Sequence, residues 1–368
     1  MPKLSFFDAE ILERETPERP WRALAGAMAL GAALLTVGYE VYWRGKELRP
    51  GDFNNTEALW AQERRKATGA ARVLIGSSRI FFDTDLDVWE ELSGVRPVQL
   101  ALEGTSPRIF LKDLAEDETF RGQVVVGVTA PLFFSTDGGL RASVLKYARD
   151  ETLAQRADHA MTMQLERVFG FIDEQSRPKR QIAIWPLPLR DGMRPRFDPR
   201  KLEQLGPDRD ARLWSRVVND ERYRNEATSI WALGLERNRP PPGPDGKPVS
   251  MPDAAIAATI AEVKANVDKI RARGGDVAFL RFPYGGAYTQ VEDMAFPRAR
   301  FWDLLISETD SVGVSWHDYP ELQGYDLPEW SHLSANEATR YTRALVPILY
   351  GKFEEKQAER QSAPPANR

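Results

Sequence analysis

The segment Arg72-Val-Leu-Ile-Gly-Ser-Ser-Arg-Ile80 carries the strongest structural signal in the chain. A short apolar run bounded by a turn is typical of a buried strand in a parallel sheet, because both faces of such a sheet are covered. The Gly76-Ser77-Ser78 turn then lies just past the strand, at the rim where parallel sheets collect their functional groups. The segment therefore predicts a strand that delivers a serine hydroxyl to that rim.

Similar apolar runs recur along the chain and alternate with helical patterns. We predict five strands, over residues 73–75, 97–102, 123–128, 276–281 and 312–316. We expect helices between them, over residues 83–92, 107–114, 256–273, 296–306 and 335–350. Asp83 or Thr84 is the expected N-cap of the first of these helices. This alternation indicates an α/β fold, a doubly wound parallel five-stranded sheet covering residues 71–350.

Three segments lie outside this alternation. Residues 44–70 are expected to form a polar tether that carries a short helix. Residues 132–251 are interpreted as a helical and Pro-rich insertion, because 10 of the 26 prolines fall within 186–250. The stretch 186–250 is either a lid over the domain or a solvated surface loop. The tail over 351–368 is expected to be disordered.

Composition excludes several classes of function. The net charge of −4 over 368 residues argues against a nucleic-acid-binding protein, which usually has a basic bias. The absence of cysteine excludes disulfides, thiolate metal sites and a cysteine nucleophile. The sequence contains no phosphate-binding glycine loop, zinc ligand set or dinucleotide motif. We therefore predict neither a cofactor nor a metal.

The seventeen residues Ala23–Tyr39 carry no charge. A helix of this length spans about 25 Å, the low end of what crosses a bilayer core. Trp21 at one end, and Tyr39, Tyr42 and Trp43 at the other, are suited to the two membrane interfaces. A signal peptide and a buried soluble helix are the alternatives. The apolar character of every face favours a transmembrane anchor over 23–43, whose orientation the nearly balanced flanking charges leave open.

A second segment near the C-terminus offers what a nucleophilic serine needs. A serine hydroxyl attacks an ester only when a base takes its proton. Of the three histidines, His332 lies in the loop before the last helix, three residues after Glu329. We predict a triad of Ser78 as nucleophile, His332 as base and Glu329 as orienting acid, with Asp326 as the alternative acid.

These segments resemble the SGNH or GDSL-like hydrolases. The first motif of that family is a strand followed by Gly-Asp-Ser, matched by Gly76-Ser77-Ser78 with serine in place of aspartate. Its last motif is Asp-x-x-His, matched by Glu329-Trp-Ser-His332 with glutamate in place of aspartate. The resemblance covers residues 71–130 and 252–350 and implies a flavodoxin-like SGNH fold.

The resemblance also implies an oxyanion site. The backbone amides of Ser78 and Gly104 match the family's donors, but the asparagine of its third motif is absent. Thr129 or a nearby arginine, Arg79 or Arg281, is expected to take the place of that asparagine. The two arginines are also candidates for binding an anionic substrate.

The variant motifs and the N-terminal anchor are similar to those of membrane-anchored members that handle envelope acyl groups. Among these are the D-alanine transfer protein of teichoic acids and the alginate O-acetylation proteins. The resemblance implies a serine esterase or acyltransferase for O-acyl groups of cell-envelope polysaccharide, with a possible membrane-bound acyltransferase partner. It also implies a bacterial inner-membrane protein with residues 1–22 cytoplasmic and the domain periplasmic. The alternatives are a catalytically degenerate domain that binds glycan and an assembly factor.

Overall fold

The computed structural model describes residues 19–135, 138–139, 141–177, 180–182, 201–237 and 251–362. The chain divides into two compact units, Met1–Leu48 and Arg49–Arg368. The first unit contains helix α1, Trp21–Arg44, whose most apolar 18-residue window has a mean hydropathy of 1.5. By length and composition this 24-residue helix is able to cross a membrane. A signal sequence near an N-terminus has the same properties.

The second unit is a mixed α/β fold. In chain order its strands are β1 Arg72–Ile75, β2 Val98–Gln99, β3 Gln123–Gly127, β4 Glu203–Leu205, β5 Ala211–Leu213, β6 Asp276–Arg281 and β7 Val312–Ser315. Five of them form one sheet in the order β2-β1-β3-β6-β7, and every neighbouring pair is parallel. The predicted five-stranded parallel sheet is therefore confirmed. Strands β4 and β5 form a separate antiparallel pair.

Helices connect and cover these strands. In chain order they are α2 Glu57–Arg64, α3 Ser78–Phe82, α4 Leu86–Ser93, α5 Pro107–Glu116, α6 Ala130–Phe133, α7 Ser143–Asp150, α8 Leu153–Val168, α9 Ser215–Asn219, α10 Glu221–Arg237, α11 Asp253–Ala272, α12 Ala287–Ala295, α13 Arg298–Thr309 and α14 Ala335–Ser362. Short 3₁₀ turns cover Gly170–Ile172, Glu174–Ser176, Trp316–Asp318 and Pro320–Leu322.

Both faces of the sheet are buried. Successive side chains of a strand point to opposite faces. On one face the strands β1, β3 and β6 contribute to a core shared with α5, α11 and α13, through Val73, Ile75, Val124, Val126, Val277 and Phe279. The alternate residues Leu74, Val125, Ala278 and Leu280 are also buried. This double burial explains why the strands are continuous apolar runs.

A side chain covers the β2 edge of the sheet. Strand β2 is shorter than the predicted 97–102, although the Leu100 and Leu102 amides still donate to β1 and to Gly76. The buried guanidinium of Arg209, from the β4–β5 turn, donates to the carbonyls of Gln99 at 3.1 Å and Ala101 at 2.7 Å. These contacts satisfy carbonyl groups that an edge strand would otherwise expose to another chain.

The predicted helix over 83–92 corresponds to α4 alone, and a break over residues 83–85 separates it from the short helix α3, which was not predicted. Helix α3 ends at Phe82, and α4 begins at Leu86, capped by Asp85, which accepts hydrogen bonds from the amides of Asp87 and Val88. Asp83, a predicted cap, instead accepts the amide of Leu333 at 2.8 Å. The break arises because this carboxylate is bound by a distant loop.

Two segments predicted to flank the α/β domain belong to its compact unit, and the short helix expected in the first of them is α2. From Arg49 onward the predicted tether belongs to the second unit, and Trp60 on α2 is fully buried in its core. Residues 351–362 of the predicted disordered tail continue α14, and residues 363–368 lie outside the described residues. In this extension of the helix, the ammonium group of Lys356 lies 2.5 Å from the Asp310 carboxylate. Burial of an aromatic ring and ion pairing outweigh the polar composition of these segments.

The described part of the insertion is ordered. It contains α7, α8, the β4–β5 hairpin, α9 and α10. Of the stretch 186–250, interpreted as a lid or a surface loop, residues 186–200 and 238–250 lie outside the described residues.

Candidate active site

Two glycines allow a helix to begin directly at the end of the sheet. Strand β1 ends at Ile75 and α3 begins at Ser78. A Cβ on Gly76 would lie 2.2 Å from Ile80, and a Cβ on Gly127 of β3 would lie 2.6 Å from the same side chain. Ile80 therefore packs into the space above both glycines, and α3 rests on the strand ends. This packing places half-buried Ser78 at the carboxyl rim, as predicted.

The candidate base and acid form a buried pair. The His332 Nδ1 lies 2.7 Å from the Glu329 Oε1, and the same oxygen accepts the His332 backbone amide at 2.7 Å. Glu329 is fully buried. Within the described part of the chain, the His332 Nε2 atom has no hydrogen-bond partner. The ring thus has one nitrogen held by a carboxylate and the other free for a proton transfer.

Helix α3 and the His332 loop are joined by direct contacts. The ring of Phe82 packs on the ring of His332, with centroids 4.7 Å apart. Residues four apart on a helix share a face, so Ser78 lies one turn before this contact. The Asp83 carboxylate accepts the Leu333 amide at the other end of α3. The structure therefore brings the segments of Ser78, His332 and Glu329 together.

A second carboxylate acts on the histidine. Burial raises the pKa of Asp83 to about 7, although the neighbouring His332 lowers it. Burial disfavours the charged form of His332, but the carboxylates of Glu329 and Asp83 outweigh this effect. The pKa of His332 is consequently raised above its ordinary value. Asp83 was predicted only as a helix cap, because its contact with the His332 loop joins residues 250 apart in sequence.

The predicted oxyanion residues Ser78, Gly104 and Thr129 lie in the segments that follow β1, β2 and β3. Ser78 is the first residue of α3, so its amide has no acceptor within the helix. Gly104 has a φ of 60°, which residues with a side chain rarely adopt. The Thr129 hydroxyl, just past β3, lies 2.7 Å from the hydroxyl of Ser77. Its predicted role as an oxyanion donor remains a prediction.

The two candidate arginines belong to a buried ion cluster. Arg79 lies 2.5 Å from the fully buried carboxylate of Glu292, and Arg281 lies 4.0 Å from it. Arg281 also donates to the Tyr284 hydroxyl at 2.9 Å, and the Arg79 guanidinium packs over the Tyr284 ring at 4.9 Å. These contacts hold α12 against the site. Substrate binding by either arginine remains a prediction.

The structure favours Glu329 over Asp326 as the orienting acid. Asp326 is exposed, whereas Glu329 bonds directly to His332. Between Glu329 and His332 lies Trp330, a non-glycine residue with a φ of 76°. Its ring packs so closely on Gly286 that a Cβ there would lie 2.3 Å from it. Such a conformation costs about 1–3 kcal/mol and persists only where the surrounding contacts impose it.

A tryptophan from the insertion completes the surroundings of Glu329. The indole Nε1 of Trp231, on α10, donates to the Glu329 Oε2 at 2.6 Å. Ninety-eight residues separate the two in sequence. The sequence reasoning missed this residue, because no local pattern links the two segments.

Among the residues that the structure describes, one group of carboxylates lies close enough to hold a metal. Oxygen atoms of Asp85, Asp87 and Asp210 lie within 4.8 Å of one another. However, Arg212 lies 2.8 Å from Asp85 and 2.5 Å from Asp210. Asp87 lies 2.6 Å from Arg96. Arginine side chains thus already neutralise these carboxylates.

Comparisons with known proteins add no assignment. No protein-family model matches the chain, and no curated protein matches its sequence.

Proposed function

We propose that this protein is a serine hydrolase or acyltransferase of the SGNH type, acting on acyl esters. The observation that carries the proposal is the buried pair of His332 and Glu329, packed against the helix that Ser78 begins. The sheet order supports it, because β1 and β3 are neighbours from which the chain leaves in opposite directions. Parallel sheets bind ligands at such a switch point, beyond the carboxyl ends of the strands.

The proposed chemistry uses only side chains and amides of this chain. Ser78 Oγ attacks the ester carbonyl while the Nε2 of His332 takes its proton. Glu329 holds the Nδ1 proton and stabilises the imidazolium that forms. The amides of Ser78 and Gly104 stabilise the oxyanion. His332 then protonates the departing alcohol, and the acyl-serine passes to water or to a sugar hydroxyl.

The proposed substrate is an O-acyl group, acetyl in the simplest case, on a cell-envelope polysaccharide. This part of the proposal rests on the similarity of motif layout to membrane-anchored envelope proteins and on the apolar helix α1. In the proposed topology α1 anchors the chain in a bacterial inner membrane and residues 44–368 are periplasmic. A membrane-bound acyltransferase would then be its partner.

Ester turnover by the full chain in detergent micelles tests the proposal. We expect hydrolysis of p-nitrophenyl acetate and acetate release from O-acetylated polysaccharide. Ser78→Ala and His332→Ala are each expected to lower kcat about 10⁴-fold or more, because the nucleophile and its base act as a unit. Ser307→Ala, an exposed serine on α13, is the matched control. Equal turnover by Ser78→Ala would refute the proposal.

A degenerate, glycan-binding domain is the second candidate. The specific observation in its favour is the contact between the Thr129 and Ser77 hydroxyls, where the family has a free asparagine donor. Losing one oxyanion donor costs about 10²–10³-fold in rate. Calorimetric binding of polysaccharide without any ester turnover would select this candidate.

A further inference from the structure

The insertion contributes a side chain to the candidate active site. The acid Glu329 is fully buried, and each of its oxygens has a donor. Oε1 binds His332, and Oε2 accepts the indole N–H of Trp231 at 2.6 Å. Because both oxygens are bound, the Glu329 carboxylate cannot rotate about its terminal bond. Its fixed orientation in turn fixes the orientation of the His332 ring.

The helix that carries Trp231 is anchored independently of the site. The Tyr223 hydroxyl donates to the backbone carbonyl of Lys201 at 2.8 Å, and the Tyr223 ring packs edge-on against Trp214. Ala227 is also buried. Tyr223, Ala227 and Trp231 are spaced by four residues, so they lie on one face of α10. That face is therefore fixed to the β4 region at one end and reaches Glu329 at the other.

We propose that Trp231 is a positioning residue for the pair of His332 and Glu329, and that the insertion thereby completes the catalytic site. The inference rests on the proposed function, because it assigns a role within the same site. The indole N–H fixes the carboxylate and withdraws part of its negative charge. A carboxylate whose charge is shared with this N–H stabilises the imidazolium less, so Trp231 lowers the proton affinity of His332 toward the range that a general base needs.

Three charged side chains also act on the pKa of His332. Glu329 and Asp83 raise its pKa, and Arg79 lowers it. Trp231→Phe leaves all of these groups in place and removes only the donor to Oε2. We therefore expect the pKa of His332 to rise in this variant by roughly half a unit or more.

A pH titration by nuclear magnetic resonance tests this without requiring activity. The full chain in detergent micelles, labelled with ¹³C-histidine, has three resonances to follow, since it contains three histidines. Trp214→Phe is the matched control, because the buried Nε1 of Trp214 has no partner among the described residues. A rise in the His332 titration in Trp231→Phe, but not in Trp214→Phe, supports the inference. An unchanged titration in Trp231→Phe overturns it.

A measurement on the intact indole covers the case in which Trp231→Phe does not fold. The Trp231 indole proton is expected to resonate downfield in the wild-type chain and to move upfield in Glu329→Gln. An indole proton that does not move in Glu329→Gln overturns the inference.

Reaction with a fluorophosphonate separates this inference from the proposed function. We expect Trp231→Phe to react roughly tenfold more slowly than the wild-type chain, with the acidic limb of its pH profile moved to higher pH. If the wild-type chain does not react but the His332 titration still shifts, the positioning role stands and the enzymatic proposal fails. If the wild-type chain reacts and Trp231→Phe matches it in rate and titration, the enzymatic proposal stands and the positioning role fails.

Discussion

Asp83 links the two segments of the candidate site through both a hydrogen bond and a charge. It ends the helix that Ser78 begins, it accepts the amide of Leu333, and its pKa is raised to about 7 by burial. Its ionisation therefore falls in the pH range in which a histidine base works. The protonation state of Asp83 and that of His332 are coupled, because each carboxylate charge stabilises the imidazolium.

Asp83→Asn is expected to change stability in a direction set by the raised pKa. The wild-type carboxyl group binds its proton more tightly when folded than when unfolded, so stability falls as pH rises from about 4 to about 7. Asparagine keeps an oxygen for the Leu333 amide and cannot ionise. At pH 8 the variant should be more stable than the wild-type chain by roughly 2–4 kcal/mol, and near pH 4 it should show no such gain.

Denaturant unfolding of the full chain at both pH values measures this difference. The same variant should lower the pKa of His332, since the Asp83 charge raises it. If Asp83→Asn were less stable than the wild-type chain at pH 8, the buried carboxylate would be stabilising when ionised, contrary to the prediction.

The choice between the two acids can be tested by a pair of isosteric variants. Glu329→Gln keeps the shape of the side chain but removes the charge that orients His332. We expect it to lower the rate of reaction with a fluorophosphonate by about 10³-fold or more. Asp326→Asn, at an exposed position, should leave the rate within about twofold of wild type. The opposite ranking of the two rates would assign the orienting role to Asp326.

Among the secondary-structure elements, the sheet was predictable and the ends of the helices were not. Strand β6 was predicted at its observed bounds, because a strand buried on both faces is an uninterrupted apolar run. Helix α3 was not predictable from the sequence, because five residues are too few to show a helical periodicity. Its position depends on the space above Gly76 and Gly127, a tertiary property.

The C-terminal extension of α14 shows the same limit. Its last turns are polar, and composition alone suggested disorder beyond residue 350. In the structure Phe353 is buried, Lys356 pairs with Asp310 at 2.5 Å, and Arg360 pairs with Asp276 at 2.9 Å. Partners distant in sequence stabilise these turns, and a local pattern does not contain them.

Truncation after Gly351 is therefore expected to destabilise the second unit. The loss of a buried aromatic ring and two ion pairs should lower the free energy of unfolding by roughly 2–4 kcal/mol. Truncation after Ser362 is the control and should leave stability unchanged. Thermal unfolding followed by circular dichroism measures both, and equal melting temperatures for the two truncations would contradict the structural role of the last turns.

For the whole chain, the sequence predicted the sheet and the pairing of His332 with Glu329 but not the contribution of the insertion. The pairing was predictable because the two residues are three apart in one loop. The bond from Trp231 to Glu329 joins segments that only the tertiary fold brings together. The interpretations of residues 44–70 as a tether and of the tail as disordered weighed composition above long-range packing, because residues from Arg49 onward belong to the second unit and α14 continues to Ser362.

Helix α1 leads to a prediction about the full chain in cells. Its length and apolar composition predict that the chain remains in the membrane fraction after alkaline carbonate washing. Deletion of residues 1–48, one of the two compact units, should release the remainder into the soluble fraction. Release of the full chain by carbonate, or a mature N-terminus located after α1, would show that the helix is not a permanent anchor.

The most direct test of the proposed activated serine is to find where a fluorophosphonate becomes attached. The folded full chain in detergent micelles is treated with the probe, digested, and mapped by mass spectrometry. We predict one adduct on Ser78, which persists in Ser77→Ala and is lost in both Ser78→Ala and His332→Ala. An adduct on another serine, or no adduct on the folded wild-type chain, would contradict an activated Ser78.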